Sequence, residues 1–409
     1  MGEKLIFVGL IIFAAHFFSM IFSKKRIPDV LLLMIIGVII GPLLGLVKPD
    51  FMGGVGGIFT TITLIVILFE GGTDISIFDI QKSWKSTIKL TLISVMFSVI
   101  IVGIIGYFFN LSIINSLILG VILSGTSSAV VIPLTQQLKI GNQTKTTLVL
   151  ESAITDILCF ILALALMQSE LAGDGLNVMK IMGGVFSSFV IATIIGFIGG
   201  IVWTSILHKV RTFKNSIFLT PSYVFVLYGL SEALGFSGAI TALSIGITIA
   251  NIEYFNFSFL HKYQKDKYLM LTDREKAFIS EIVFVLKTFF FVYIGISIPF
   301  NNNIALVAGV IITISLMVMR LFVAKYSSPK SANAFDKSII ALMIPKGLAS
   351  AVLASIPEQM GLPQGELIKY IVFSTVLFSI LLCSILIFII ERYPKANIIL
   401  RVLFKSRNQ

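Results

Sequence analysis

The chain has 409 residues, 57% of them hydrophobic and 12% charged, with a formal net charge of +11 and a mean hydropathy of +1.02. Charge at half the usual content, with apolar residues in blocks long enough to cross a bilayer, excludes a soluble globular protein, and the lack of strand-length alternation excludes a β-barrel. Cys159 and Cys383 lie inside apolar runs, far apart and without metal-ligand spacing, and read as packing residues.

Windows of about 20 residues predict helical spans at 4–23, 29–47, 53–70, 86–109, 112–134, 146–168, 179–207, 217–232, 236–251, 277–299, 303–326, 337–357 and 366–392, thirteen in all. The first follows only Met1–Lys4 and lacks a small-residue cleavage site, so it reads as a retained helix rather than a signal peptide. The short pieces flanking Ser231–Ser237 could instead form one interrupted helix, which would make the count even.

The basic residues arbitrate. With the N-terminus outside, alternate loops carry 24 Lys and Arg on one side, from the cluster Lys24, Lys25 and Arg26 to the tail after Arg392, against 4 on the other (Lys4, Lys48, Lys180 and Lys369). The positive-inside rule then gives N-out and C-in, and an even count would scramble the split. The net charge is therefore topology and not nucleic-acid binding. The longest hydrophilic stretch, Phe259–Lys276, leaves no room for a nucleotide-binding domain, and no Gly-rich phosphate loop, His-Cys cluster or HExxH pattern occurs. No cofactor and no catalytic residue is expected.

A charge near the bilayer centre costs about 2.5–3.5 kcal/mol on insertion scales, so each needs a reason. Glu70, Glu151, Asp156, Glu232, Lys287, Arg320 and Lys346 fall within predicted spans, and Glu281 lies near a predicted helix start. Asp156, in Glu151-Ser152-Ala-Ile-Thr155-Asp156, is about 11 residues from the inner surface, ~16 Å at 1.5 Å per residue. Ser152 shares its face, four residues away, and Thr155 adjoins it. One carboxylate and two hydroxyls are hard oxygen ligands suited to an alkali cation, and a carboxylate withdrawn from water also binds protons more readily. Two ions can thus compete for one group; the plainer alternative is a protonated Asp bonded to a backbone carbonyl. Glu151, turned away around the same helix, matches Arg320 in depth, and a pair between them is the cheapest way to bury both. That pair could hold helices together or take part in transport.

The fifth span contains Ser124-Gly-Thr126-Ser127-Ser128 and then Pro133, and the twelfth contains Pro345-Lys346-Gly347. Both are expected to be interrupted near the midplane, where hydroxyls replace lost helical bonds. The breaks lie seven spans apart, so the segments run in opposite directions, the geometry of an inverted repeat with its site at the breaks. Lys346 there is placed to neutralise half-helix C-termini. Glu70, ending the third span at the inner surface, is either a solvated helix-end acid or a funnel carboxylate attracting cations. Lys287 and Glu232 have no partner evident in the sequence, and His16, His208 and His261 are too scattered for a relay.

Phe69-Glu70-Gly71-Gly72, Ser124-Gly-Thr-Ser-Ser-Ala-Val-Val, Glu151-Ser-Ala-Ile-Thr-Asp156, Phe290-Phe-Val-Tyr-Ile-Gly295 and Pro345-Lys-Gly347 together resemble the successive motifs of the monovalent cation:proton antiporter superfamily, nearest its NhaP-like sodium/proton exchangers. The resemblance covers nearly the whole chain. It implies an all-α polytopic fold of about 13 transmembrane helices, built as inverted repeats with two interrupted crossing helices. It also implies a homodimer in a lipid membrane, with an elevator-like core (about 86–168 and 303–392) moving against a dimerisation scaffold (about 1–80 and 179–299), and a short cytoplasmic tail at 393–409. Asp156 would bind proton or cation, with Thr155, Ser152, Thr126 and Ser127 in the site region. The transported sodium would lie on Asp156, Ser152 and Thr126, Glu151 would pair with Arg320, and Glu70 would line the pathway. Two departures stand out: Thr155 sits where the electroneutral branch usually has Asn and the electrogenic branch Asp, and Ser127 sits where exchangers often carry an acid. With one site carboxylate, charge bookkeeping favours one proton per cation. The expected function is sodium/proton antiport in a cell membrane, with lithium or potassium as further substrates. A potassium/proton antiporter or Kef-type potassium efflux system is the alternative.

Overall fold

The computed structural model describes residues 9–18, 29–47, 55–171, 178–213, 216–254, 271–298 and 300–392. The basic cluster at 24–26, residues 259–270 of the hydrophilic stretch and the tail at 393–409 lie outside the described residues. Among the described residues every regular element is helical. In chain order they are α1 (Gly9–Phe18), α2 (Asp29–Val38), α3 (Val55–Thr73), α4 (Ile77–Phe108), α5 (Ile113–Ile122), α6 (Ser128–Gln137), α7 (Asn142–Leu171), α8 (Val178–Val210), α9 (Leu219–Ala233), α10 (Gly238–Ala250), α11 (Asp273–Ile296), α12 (Asn303–Ser327), α13 (Ala334–Leu342), α14 (Leu348–Gln359) and α15 (Gly365–Arg392). Among the described residues six segments, within α4, α7, α8, α11, α12 and α15, are long and apolar enough to cross a membrane, and five shorter helical segments are predominantly apolar.

The two predicted interruptions are present. The fifth predicted span is α5 and α6 separated by 123–127, and the twelfth is α13 and α14 separated by 343–347. The pieces at 217–232 and 236–251 are instead two helices folded back on each other. Ser231 Oγ lies 2.8 Å from Thr241 Oγ1, and the backbone reverses at Gly235 with φ +80°, a left-handed conformation that glycine adopts at little cost. Glu232 has its partner here, its Oε1 accepting from Gly238 N at 2.7 Å, an orphan donor of the first turn of α10.

By contact the chain forms two compact units, residues 1–53, 82–177 and 288–409 in one, 54–81 and 178–287 in the other. In the second unit, α10 packs closely on α3 and α8. A methyl group on Gly72 of α3 would strike the backbone of Leu243 and Gly246 of α10, the small-residue contact by which helices approach when lipid supplies no hydrophobic drive. Ile65, Phe69, Trp203, Leu207, Ile245 and Ile249 form its buried cluster, where Trp203 stacks on Tyr223 at 4.4 Å and donates to Thr220 Oγ1 at 3.2 Å. The first unit holds both interrupted pairs together with α4 from Lys82 onward, α7, α12 and α15.

Candidate functional site

The two interruptions pass each other in opposite directions. Ser127 N donates to Pro345 O at 2.8 Å, and Ser350 Oγ donates to Ile122 O at 2.8 Å, so residues before one break meet residues after the other. At the crossing, Gly347 has no room for a side chain, since a methyl group would fall on Ser127 Oγ and Cβ. Breaking two helices inside a membrane frees backbone groups that must find partners locally. Lys346 Nζ donates to Gly125 O at 2.9 Å, placing its charge just beyond the C-terminal end of α5, where a cation is favoured. Lys346 N in turn donates to Ser379 Oγ of α15 at 2.9 Å.

Asp156 enters from α7. Its Oδ2 accepts from Ser128 Oγ at 2.8 Å and from Ser128 N at 3.4 Å. Ser128 opens α6, so the carboxylate faces the first-turn donors and positive end of that half-helix, a natural place for an anionic group. Thr155 Oγ1 accepts from Thr126 N at 3.1 Å and donates to Ser152 O at 3.1 Å. Thr126, Ser127, Thr155, Ser152 and Glu151 are all buried, whereas Asp156 retains partial exposure. Ser127 Oγ is buried without a hydrogen-bond partner, an oxygen whose lone pairs are left for something else. Gly125 keeps the space beside the carboxylate open: a methyl there would stand 3.3 Å from Asp156 Oδ1 and 3.0 Å from Cys159 Sγ.

The predicted residues thus fall into three groups. Asp156, Thr155, Thr126, Ser127 and Lys346 converge on the crossing. Ser152 is buried one turn away, and its hydroxyl donates to Val149 O at 2.9 Å and not to Asp156. Glu151 and Arg320 form a separate bidentate pair, both contacts at 2.5 Å, with side chains 0% and 3% exposed. Arg320 also donates to Ser94 Oγ at 2.5 Å and to Ile340 O at 3.1 Å, a carbonyl in the last turn of α13 that lacks a helical partner. Glu70, in the last turn of α3, belongs to the second unit. There it has Ser280 as a hydrogen-bond partner and lies within electrostatic reach of Lys287 and Asp74, which gives Lys287 the opposite charge it lacked in the sequence. Glu281 is exposed, eight residues into α11, because that helix starts at Asp273 and not at 277.

Sequence reasoning passed over Ser128, the only side chain that donates to the Asp156 carboxylate among the described residues. Its signal was present as the third of three consecutive hydroxyl residues, but which one faces Asp156 depends on where α6 resumes. Asp336 was also missed. The residue is 2% exposed, and its carboxylate accepts from Thr144 Oγ1 at 3.0 Å and from Gly141 N at 3.3 Å, tying the start of α13 to the start of α7.

Comparison with known proteins bears on this geometry. Residues 10–392 match the family model described as sodium/hydrogen exchanger, transmembrane. The chain is 26% identical over 416 residues to the probable Na(+)/H(+) antiporter 2 of Methanocaldococcus jannaschii, covering 93% of each. It is 23% identical over 398 residues to the Na(+)/H(+) antiporter of Enterococcus hirae, covering 95% of this chain and 97% of the relative. Its fold superposes on the solved sodium proton antiporter MjNhaP1 of Methanocaldococcus jannaschii with a TM-score of 0.75 at 20% identity, covering 99% of each chain.

Proposed function

The chain belongs to the sodium/hydrogen exchanger family, and from that premise we propose that Asp156 is the group at which sodium and proton compete during alternating access. The protein is a multi-pass membrane antiporter that exchanges sodium for protons, and not an enzyme. The observation that carries the proposal is the placement of one carboxylate where two broken helices cross, held by Oγ and N of Ser128, which is one residue along the chain from a buried hydroxyl, Ser127 Oγ, that has no partner.

Asp156 would supply the charge for a dehydrated sodium ion, and Thr126, Ser127 and Thr155 neutral oxygens, with Ser152 one turn further along α7. Oxygen donors suit such a hard cation. A proton on the carboxylate cancels the same charge, so either cargo makes the carboxylate electrically neutral. An empty, ionised Asp156 would have to be carried through a low-dielectric barrier, and that cost couples the two fluxes. With one titrating carboxylate the exchange is one proton per sodium and electroneutral. In this reading residues 86–168 and 303–392 carry the ion past a scaffold of 1–80 and 179–299 in a homodimer. With thirteen spans and the basic loops inside, the N-terminus would be outside and the C-terminus in the cytoplasm, and Glu70 would draw cations in from the cytoplasm.

The test is proton flux in proteoliposomes with an imposed pH gradient, read by an internal dye as sodium, lithium, potassium or choline is added. Wild type is expected to dissipate the gradient with sodium, independently of an imposed voltage, and Asp156→Asn to be inactive yet folded. Robust exchange by Asp156→Asn sinks the assignment of that residue. A voltage-dependent rate rejects one-for-one stoichiometry, and a response to potassium alone moves the substrate.

A further inference from the structure

On the first unit, α4 and α12 lie side by side and leave an apolar groove of about 730 Å³ lined by Ile93, Phe97, Ile101, Val318, Phe322 and Tyr326, among others, with Ser315 as its one aliphatic hydroxyl. From Ile314 to Tyr326 it follows α12 for about 18 Å at 1.5 Å per residue. Several lining side chains face outward, Phe97 at 43%, Val318 at 49% and Phe322 at 62% exposure. In a membrane chain such a surface meets acyl chains. A second feature sets this groove apart from an ordinary lipid-facing surface.

On α4 the groove is lined by Ile93, Phe97 and Ile101, and the next residue at that four-residue step toward the helix start is Lys89, with Lys85 one turn further on and rotated by about 80° from Ile93. Lys89 Nζ donates to Tyr326 O at 2.6 Å, which fixes this cation at the groove's end and leaves two of its three donors available. Lys325 adjoins Tyr326, and all three lysines are exposed. No acidic residue occurs from Gln81 to Leu150 or from Ile282 to Phe335; the one carboxylate on α4 and α12, Asp79, lies six residues before Lys85 and ten before Lys89. Trp84, 51% exposed, precedes Lys85 at the level where amphipathic rings meet headgroups. An apolar slot with Lys89 fixed at its end, and the exposed Lys325 and Lys85 within a turn of it along their helices, complements a molecule with a hydrocarbon tail and an anionic head.

We infer that this groove binds an anionic phospholipid of the inner leaflet, its acyl chain between α4 and α12 and its phosphate on Lys85, Lys89 and Lys325. The other faces of the same helices carry Ser94 and Arg320, which hydrogen-bond to each other, so the lipid braces the helices that hold the Glu151–Arg320 pair.

The experiment uses the full chain purified in neutral detergent, with thermal unfolding followed as phosphatidylglycerol, phosphatidylcholine or glycerol 3-phosphate is added. Phosphatidylglycerol is expected to raise the midpoint by about 5 °C, and the other two by less than a third of that. Lys85→Gln, Lys89→Gln and Lys325→Gln combined should remove at least half the phosphatidylglycerol increment. Val318→Trp, which fills the slot and keeps the cations, should remove it as well. Native mass spectrometry of wild type and Val318→Trp should show retained phosphatidylglycerol falling in parallel. Equal shifts from the two phospholipids, an equal shift from glycerol 3-phosphate, or an increment that survives Val318→Trp each overturn the inference. Should the triple variant not fold, the headgroup series on wild type and the Val318→Trp comparison still decide.

Discussion

Replacing Glu151 by Gln separates a structural role for the Glu151–Arg320 pair from a role in transport. The guanidinium has five N–H donors, and Glu151 takes two through both carboxylate oxygens, while Ser94 Oγ and Ile340 O take others. Gln keeps the shape but removes the negative charge and turns one acceptor into an amide donor facing a guanidinium donor. At 0% and 3% side-chain exposure neither group can turn to water. Breaking a buried pair in this way costs about 3–5 kcal/mol, and at roughly 2 °C per kcal/mol the unfolding midpoint should fall by about 6–10 °C. Glu151→Leu combined with Arg320→Met leaves no buried charge and should recover at least half of that loss, less the penalty of leaving the buried Ile340 carbonyl unpaired. The assay is thermal unfolding in detergent, with proton flux measured on the same preparations well below the midpoint. A structural pair predicts substantial flux from the double variant, because Asp156 and its partners are untouched. Abolished exchange in Glu151→Gln with an unchanged midpoint, or a stable double variant without flux, refutes the reasoning and makes the pair part of the transport chemistry.

Gly347→Ala drives a methyl group onto Ser127 at the crossing; overpacking of this kind costs about 1–3 kcal/mol, and exchange should fall at least tenfold, with normal flux showing that the crossing is looser than described. Asp336→Ala removes the acceptor shared by Gly141 N and Thr144 Oγ1, a loss of about 1–3 kcal/mol that should appear as faster hydrogen exchange at the start of α7, while unchanged protection there would show that the contact holds nothing.

Much of this fold was legible because a membrane penalises what a soluble core tolerates. Ser124-Gly-Thr-Ser-Ser and Pro345-Lys-Gly stood out as helix breaks since nothing else explains such residues inside apolar blocks, and both breaks lie within the predicted spans. Glu151 and Arg320 could be matched because each needed an opposite charge at its own depth. Hydropathy reads only the apolar part of a helix, so the start of α4 was set at 86 when the helix begins at Ile77: the polar segment Gln81-Lys-Ser-Trp-Lys is helical without being apolar. The partners of Asp156 were less legible. Composition offered three adjacent hydroxyls, and only the resumption of α6 at Ser128 gives that residue, with its backbone N–H, to the carboxylate. Asp336 bonds Gly141 across 195 residues, and no local pattern encodes such a pairing.

The site follows from a symmetry that is nearly kept and then broken once. α5 begins with Ser112 accepting from Asn115 N, and α13 begins with Asn333 accepting from Asp336 N, caps offset by the same 221 residues. Asn115 then bonds the Pro363 carbonyl and Gln364 ahead of α15, as Asp336 bonds Gly141 and Thr144 at the start of α7, so each repeat is fastened to the other at both ends of the crossing. Within the breaks, Thr126 N donates to Thr155 Oγ1 and Lys346 N to Ser379 Oγ, one long helix offering a hydroxyl to each loop. At the same 221-residue offset, Asp156 corresponds to Leu377. The cation is distributed the opposite way: with the 221-residue offset, Lys346 corresponds to Gly125, and its ammonium bonds that residue's carbonyl. One repeat therefore contributes the carboxylate and the other the lysine. A strictly symmetric pair would put two carboxylates or two ammonium groups at the crossing, where like charges repel and neither is neutralised. The broken symmetry leaves a single carboxylate and a single ammonium group at the crossing, the first held by Ser128 and the second by the Gly125 carbonyl.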